Sequence, residues 1–126
     1  MTVDVVREWA ISAARIADDK KGTDIVVLDV SSVLAITDYF VIASASNSRL
    51  VRTIAESVDE ELHRGSGIRP LRVEGLREPS WVLLDYGDLV VHVFSDEMRK
   101  FYEIERLYRD VPVVEWETAE LLAAGE

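Results

Sequence analysis

Residues 38–65 read DYFVIASASNSRLVRTIAESVDEELHRG, and they decide the fold class. DYFVIASA (38–45) carries apolar residues on both faces, as expected of a strand covered on both sides. SNS (46–48) follows, a cluster of helix-capping residues. Behind it Leu50, Val51, Ile54, Ala55, Val58 and Leu62 recur at three- and four-residue steps, and His63, Arg64 and Gly65 close the stripe. A buried strand feeding an amphipathic helix is the unit from which α/β sheets with right-handed crossovers are built.

Working outward, residues 3–20 predict an amphipathic helix on Val6, Trp9, Ala10, Ala13, Ile16 and Ala17, and IVVLDV (25–30) predicts a short strand able to pair antiparallel with 38–45. On the other side, IRPLRV (68–73) is extended but confined to a sheet edge, because Pro70 cannot donate to a ladder and Arg69 and Arg72 would crowd a central position. GSG (65–67) sits at a helix end, where it caps carbonyls and does not cradle phosphate. WVLLDYGDLVVHVF (81–94) predicts a hairpin with Gly87 in the left-handed conformation. Ser95 caps a third helix whose apolar side is Met98, Phe101, Ile104, Leu107 and Tyr108. The order α-β-β-α-β-β-β-α predicts one α/β domain: a mixed sheet of about five strands flanked by helices. The domain is expected over 1–112, followed by an acidic, alanine-rich tail over 113–126.

Composition narrows the function. The chain has 126 residues, 24 acidic against 14 basic, so its net charge is −10, and it has no cysteine. Zero cysteine excludes disulfide frameworks, thiolate metal sites and cysteine nucleophiles. The start lacks the layout of a secretory signal and no stretch approaches the ~20 apolar residues of a membrane helix, so a cytoplasmic location without membrane contact is expected. An acidic surface gains nothing from phosphate, so little direct RNA contact is expected; the acids either serve solubility alone or meet a basic protein partner, and composition does not separate the two.

Signatures of catalysis are absent. There is no phosphate-binding loop, no dinucleotide fingerprint and no H-E-x-x-H. Asp85 and Asp88 flank a turn, where aspartate is favoured for local hydrogen bonding. His63 suits the negative end of its helix. His92, in VVHVF, is either a hydrogen-bonded structural histidine or a polar contact within an apolar binding surface. No cofactor, metal or catalytic residue is expected.

Two stretches go further: TDYFVIASASNSRLVRTIAE (37–56) and WVLLDYGDLVVHVFSDEMRKFYEIERLY (81–108), with Glu74-Gly75 before the second. Together they resemble the ribosomal silencing factor (Iojap-related) family, with Tyr108 and Ile104 standing where that family usually has tryptophan and leucine. The resemblance implies a nucleotidyltransferase-like fold without the catalytic set. It implies a translational repressor, not an enzyme, that binds the large ribosomal subunit through its protein fourteen and blocks joining of the small subunit when nutrients are scarce. Alternatives are a large-subunit maturation factor, or a nucleotidyltransferase-like enzyme with weak activity; a homodimer of the free protein is a further expectation. The partner-binding residues so implied are Glu74, Trp81, Asp85, Tyr86, Asp88, His92, Tyr102 and Glu105. Asp38 and Tyr39 also match, while Gly87 and Phe94 are expected to serve turn geometry and core.

Overall fold

The computed structural model describes residues 4–117. The elements in chain order are α1 (Val5–Asp19), β1 (Thr23–Asp29), β2 (Tyr39–Ala45), α2 (Ser48–Ser66), β3 (Arg72–Glu74), β4 (Trp81–Asp85), β5 (Leu89–Ser95), α3 (Asp96–Tyr102) and α4 (Ile104–Leu107). The five strands form one mixed sheet in the order β1-β2-β5-β4-β3. β2 runs parallel to β5, and every other neighbouring pair is antiparallel. β2, beside the centre, is buried along its whole length, as its doubly apolar sequence requires. β3 lies at the edge as expected but covers only Arg72–Glu74, so the stretch 68–71, with Arg69 and Pro70, stays outside the strand expected over 68–73.

The three longer helices, α1, α2 and α3, start where the sequence supplies an oxygen for their first amides, whereas α4 follows Glu103 without a side-chain cap. Asp4, Asn47 and Ser95 accept from Arg7, Leu50 and Met98 backbone N–H at 3.0, 2.8 and 3.2 Å. α2 ends on Gly67, whose φ of 73° lets its N–H reach the His63 carbonyl. α1 and α2 cover one face of the sheet. Ala10, Ala13, Ala14 and Ala17 bring α1 close to it, and Val51, Ile54, Val58 and Leu62 of α2 pack on Val82, Leu84, Val91 and Val93. Burial of each such valine or leucine contributes roughly 1.5–3 kcal/mol.

The opposite face carries a second, smaller core of Leu28, Val30, Phe40, Ile42, Phe94 and Val111, with Trp81, Met98, Ile104 and Tyr108 packed against it. Only part of this face is roofed, and that difference positions the candidate site.

Two expectations are corrected. The third helix does not run on past residue 102: Glu103 adopts φ 45°, ψ 47° and separates α3 from α4. In an unbroken helix Glu105 would point about 120° around the axis from Arg99, six residues earlier. The left-handed residue turns the chain so that Glu105 Oε1 accepts from Arg99 Nε at 3.1 Å, while Arg99 Nη1 donates to Ser44 Oγ at 2.6 Å. Phe101 and Leu107 therefore face solvent instead of forming a buried stripe. Second, β1 begins at Thr23, with a register irregularity before Val26 where Asp24 takes φ 49°. The segment after residue 112 docks on β1. Val113 pairs with Leu28, Val114 N–H donates to Val27 O at 2.8 Å, and buried Trp116 donates Nε1–H to Ile25 O at 3.3 Å. This strap closes part of the outer edge of β1, which would otherwise offer unpaired backbone groups. The alanine-rich part of the expected tail lies outside the described residues.

Candidate docking face

Strand alternation sets the geometry of the second face. On β4, Trp81, Leu83 and Asp85 point away from the α1/α2 layer, since Val82 and Leu84 point into it. The register then places Phe94 opposite Trp81, His92 opposite Leu83, Glu74 opposite Leu83 on the other side, and Arg72 opposite Asp85. Five of the eight residues named from sequence, Glu74, Trp81, Asp85, His92 and Tyr102, gather on or over this face.

At its centre is a run of rings. Trp81 stacks on Phe94 with centroids 4.8 Å apart and planes at 25°, and meets Tyr102 of α3 at 4.8 Å. Phe40 touches the edge of His92 at 4.9 Å and of Tyr108 at 5.2 Å. At the outer end Phe101 stands against Tyr102 at 5.0 Å. The run therefore passes from buried Phe40 and Phe94 through half-buried Trp81 to Tyr102, 45% exposed, and Phe101, 73% exposed. Such pairs contribute about 0.5–1.5 kcal/mol each beyond area burial, so Trp81 and Tyr102 are held in place before any partner arrives.

His92 resolves as an internal residue. It is 4% exposed, and its Nδ1 accepts a hydrogen bond from Trp81 Nε1 at 3.2 Å. Burial holds its pKa down to about 4, so the ring is neutral near pH 7, the form that leaves Nδ1 free to accept. It orients Trp81 and does not itself reach the surface. Asp85 is likewise occupied: its Oδ1 accepts from Gly87 N–H at 2.8 Å and its Oδ2 from Arg72 Nε at 3.2 Å. It fastens the hairpin turn and the β3 edge. Glu74 is exposed, 3.8 Å from Arg72 Nε.

The remaining three fall elsewhere. Tyr86 packs against the core beneath α2, its hydroxyl buried, and burial followed by the Asp59 carboxylate pushes its pKa well up. It therefore lies on the opposite side of the sheet from Trp81, and the structure does not bring the two together. Asp88 is exposed at the hairpin turn, where its carbonyl accepts from Asp38 and Tyr39 N–H at 2.8 and 3.1 Å. Glu105 is half-buried and engaged with Arg99. Gly87 has φ 90° and Phe94 is fully buried, in the structural roles expected of them.

Two contributors were not singled out from sequence. Leu83 is half-buried between Trp81 and Asp85 on the same face, and alternation alone would have found it. Arg99, 9% exposed, ties α3 and α4 to β2 through Ser44 and Glu105. It stands first in the RKFYEIERLY run, but a buried role for an arginine there has no local signal.

Among the described residues, no three His, Asp or Glu side chains are grouped so as to hold a metal ion, and no helix is long and apolar enough to cross a membrane. A cleft of about 590 Å³ lined by Val5, Trp9, Ser12, Arg15 and Ser66 lies between α1 and the end of α2, away from the aromatic run. What the second face offers is a shallow, half-open surface of prearranged aromatic side chains beside acidic groups.

Residues 4–125 match the family described as ribosomal silencing factor during starvation. The chain belongs to the ribosomal silencing factor family. It is 37% identical over 103 residues to ribosomal silencing factor RsfS of Bacillus subtilis, covering 82% of this chain and 86% of that protein. It is 34% identical over 110 residues to the chloroplastic protein Iojap of Zea mays, covering 85% of this chain and 46% of that longer protein. A crystal structure of a Chromobacterium violaceum protein superposes with a TM-score of 0.74 at 34% identity, over 85% of this chain and 86% of the other.

Proposed function

We propose that this silencing factor binds the large ribosomal subunit through its protein fourteen, using the Trp81–Tyr102 face, and by its bulk prevents the small subunit from joining. The observation that carries the reading is the aromatic run: a surface tryptophan–tyrosine pair, fixed from below by His92 and Phe94, beside the exposed carboxylate of Glu74. Large amphipathic rings at the centre of a patch supply most of the energy in protein docking. A chain of net charge −10 complements a basic ribosomal protein and is repelled by rRNA phosphate. Inhibition by volume needs no turnover, so the role is regulatory, and we place it in the cytoplasm. Titration of purified protein fourteen with the intact chain and with Tyr102→Ala tests the reading. The variant should bind about 2 kcal/mol more weakly, roughly thirtyfold, while remaining folded at the assay temperature. Equal affinity would move the interface elsewhere.

A further inference from the structure

The end of the sheet where β2 starts carries a second surface, unrelated to the aromatic run. The segment joining β1 to β2, residues 30–38, exposes Ile36 at 84% and Val33 at 57%. Neighbouring Leu34 is tucked against the second core and Thr37 is buried, so the exposed pair sits on a loop anchored from within. Backbone bonds fasten it further. Val33 and Leu34 N–H donate to Val30 O at 3.0 and 2.9 Å, Val30 N–H donates to Asp38 O at 2.8 Å, and Asp38 N–H donates to Asp88 O at 2.8 Å. Asp29 Oδ1 accepts both from Ser31 N–H at 3.0 Å and from Ser31 Oγ at 2.6 Å. Ile36 and Val33 are thus presented in a fixed arrangement, and ordering them on binding costs little.

The two chain segments that form this surface carry charge of one sign. Residues 30–39 and 85–89 contain no lysine or arginine, and they bring Asp38 and Asp88 to the surface side by side. Neither carboxylate is in an ion pair among the described residues, in contrast to Asp85, which is held by Arg72. An apolar pair bordered by uncompensated carboxylates complements a segment carrying lysine or arginine next to an apolar side chain. Phosphate is repelled there, and a second copy of this chain brings the same excess of acid.

We infer that the 31–38 loop, with Asp38 and Asp88, is a second docking surface that takes a basic protein segment bearing an apolar residue, distinct from the partner of the aromatic face. The loop adjoins the Asp85 end of β4, four residues along the strand from Trp81 and therefore about 13 Å away. Both surfaces can then be engaged at once. The inference rests on the reading that the protein docks on large subunits, and the test separates the two.

A benzophenone side chain is placed at position 36 in one full-length protein and at position 102 in another, and each is irradiated on purified large subunits. Position 36 should crosslink to a basic ribosomal protein other than fourteen, and position 102 to protein fourteen. In parallel, Ile36→Asp should lower affinity for whole large subunits by about tenfold and leave affinity for isolated protein fourteen unchanged. Crosslinks from position 36 to rRNA, to a second copy or to nothing, while position 102 still reaches protein fourteen, overturn the second surface alone. So does an equal loss for Ile36→Asp on isolated protein fourteen. Absence of protein crosslinks at both positions overturns the second surface and the docking reading together.

Discussion

Acidification should loosen this protein through one histidine. An unfolded histidine titrates near 6.5, and burial holds His92 down to about 4 in the folded chain. The native ring is neutral, and its Nδ1 accepts the Trp81 indole hydrogen at 3.2 Å, a bond that protonation would abolish. Because the folded pKa is depressed, the unfolded chain takes up the proton first. Stability is therefore highest above the unfolded value and falls as pH drops from about 6.5 towards about 4. Integrating between those two values gives a loss of about 2 kcal/mol between about pH 7 and about pH 5, rising to about 3 kcal/mol below pH 4. Asp4, whose carboxyl is held below its ordinary 3.8 by the Tyr39 hydroxyl and the Arg7 backbone N–H, loses its contribution only below that window. Urea unfolding at the two pH values measures the loss, and His92→Leu should remove most of it. A wild-type protein equally stable at both values, or a variant with the same loss, would refute the reasoning.

Other substitutions separate scaffold from surface. Gly75 has φ 93°, and a Cβ there would lie 2.1 Å from the Trp81 carbonyl oxygen, so Gly75→Ala should cost about 3 kcal/mol in denaturant unfolding. Tyr86→Ala should lower the melting temperature, because Tyr86 packs beneath α2, yet leave affinity for protein fourteen unchanged in the folded fraction. Trp116→Ala removes a buried side chain that clamps the strap to β1, and should cost about 3 kcal/mol, read as a lower urea midpoint.

Much of the fold was legible because its signals are local. The doubly apolar 39–45 run belongs in mid-sheet, Pro70 and Arg72 belong at an edge, and Asn47 and Ser95 start helices wherever the rest of the chain goes. The site was legible as a stretch of chain but not as a surface. Asp85 and Tyr86 are adjacent in sequence and pleating sends them to opposite faces, so a motif read linearly joins residues that the sheet separates. His92 shows the same limit: its strand position fixes the face, while only the helix–strand packing above it decides whether that face is roofed. The kink at Glu103 was invisible because its cause is distant. Arg99 must find Ser44, 55 residues away, before turning Glu105 back becomes favourable. The strap is a similar case, since Trp116 finds its acceptor at Ile25, 91 residues earlier.

Subunit association, followed by light scattering, tests the central claim most directly. Large subunits preloaded with the protein and mixed with small subunits should form few joined particles, and Tyr102→Ala at the same concentration should restore joining. Normal joining with the protein still bound to the large subunit would contradict the account.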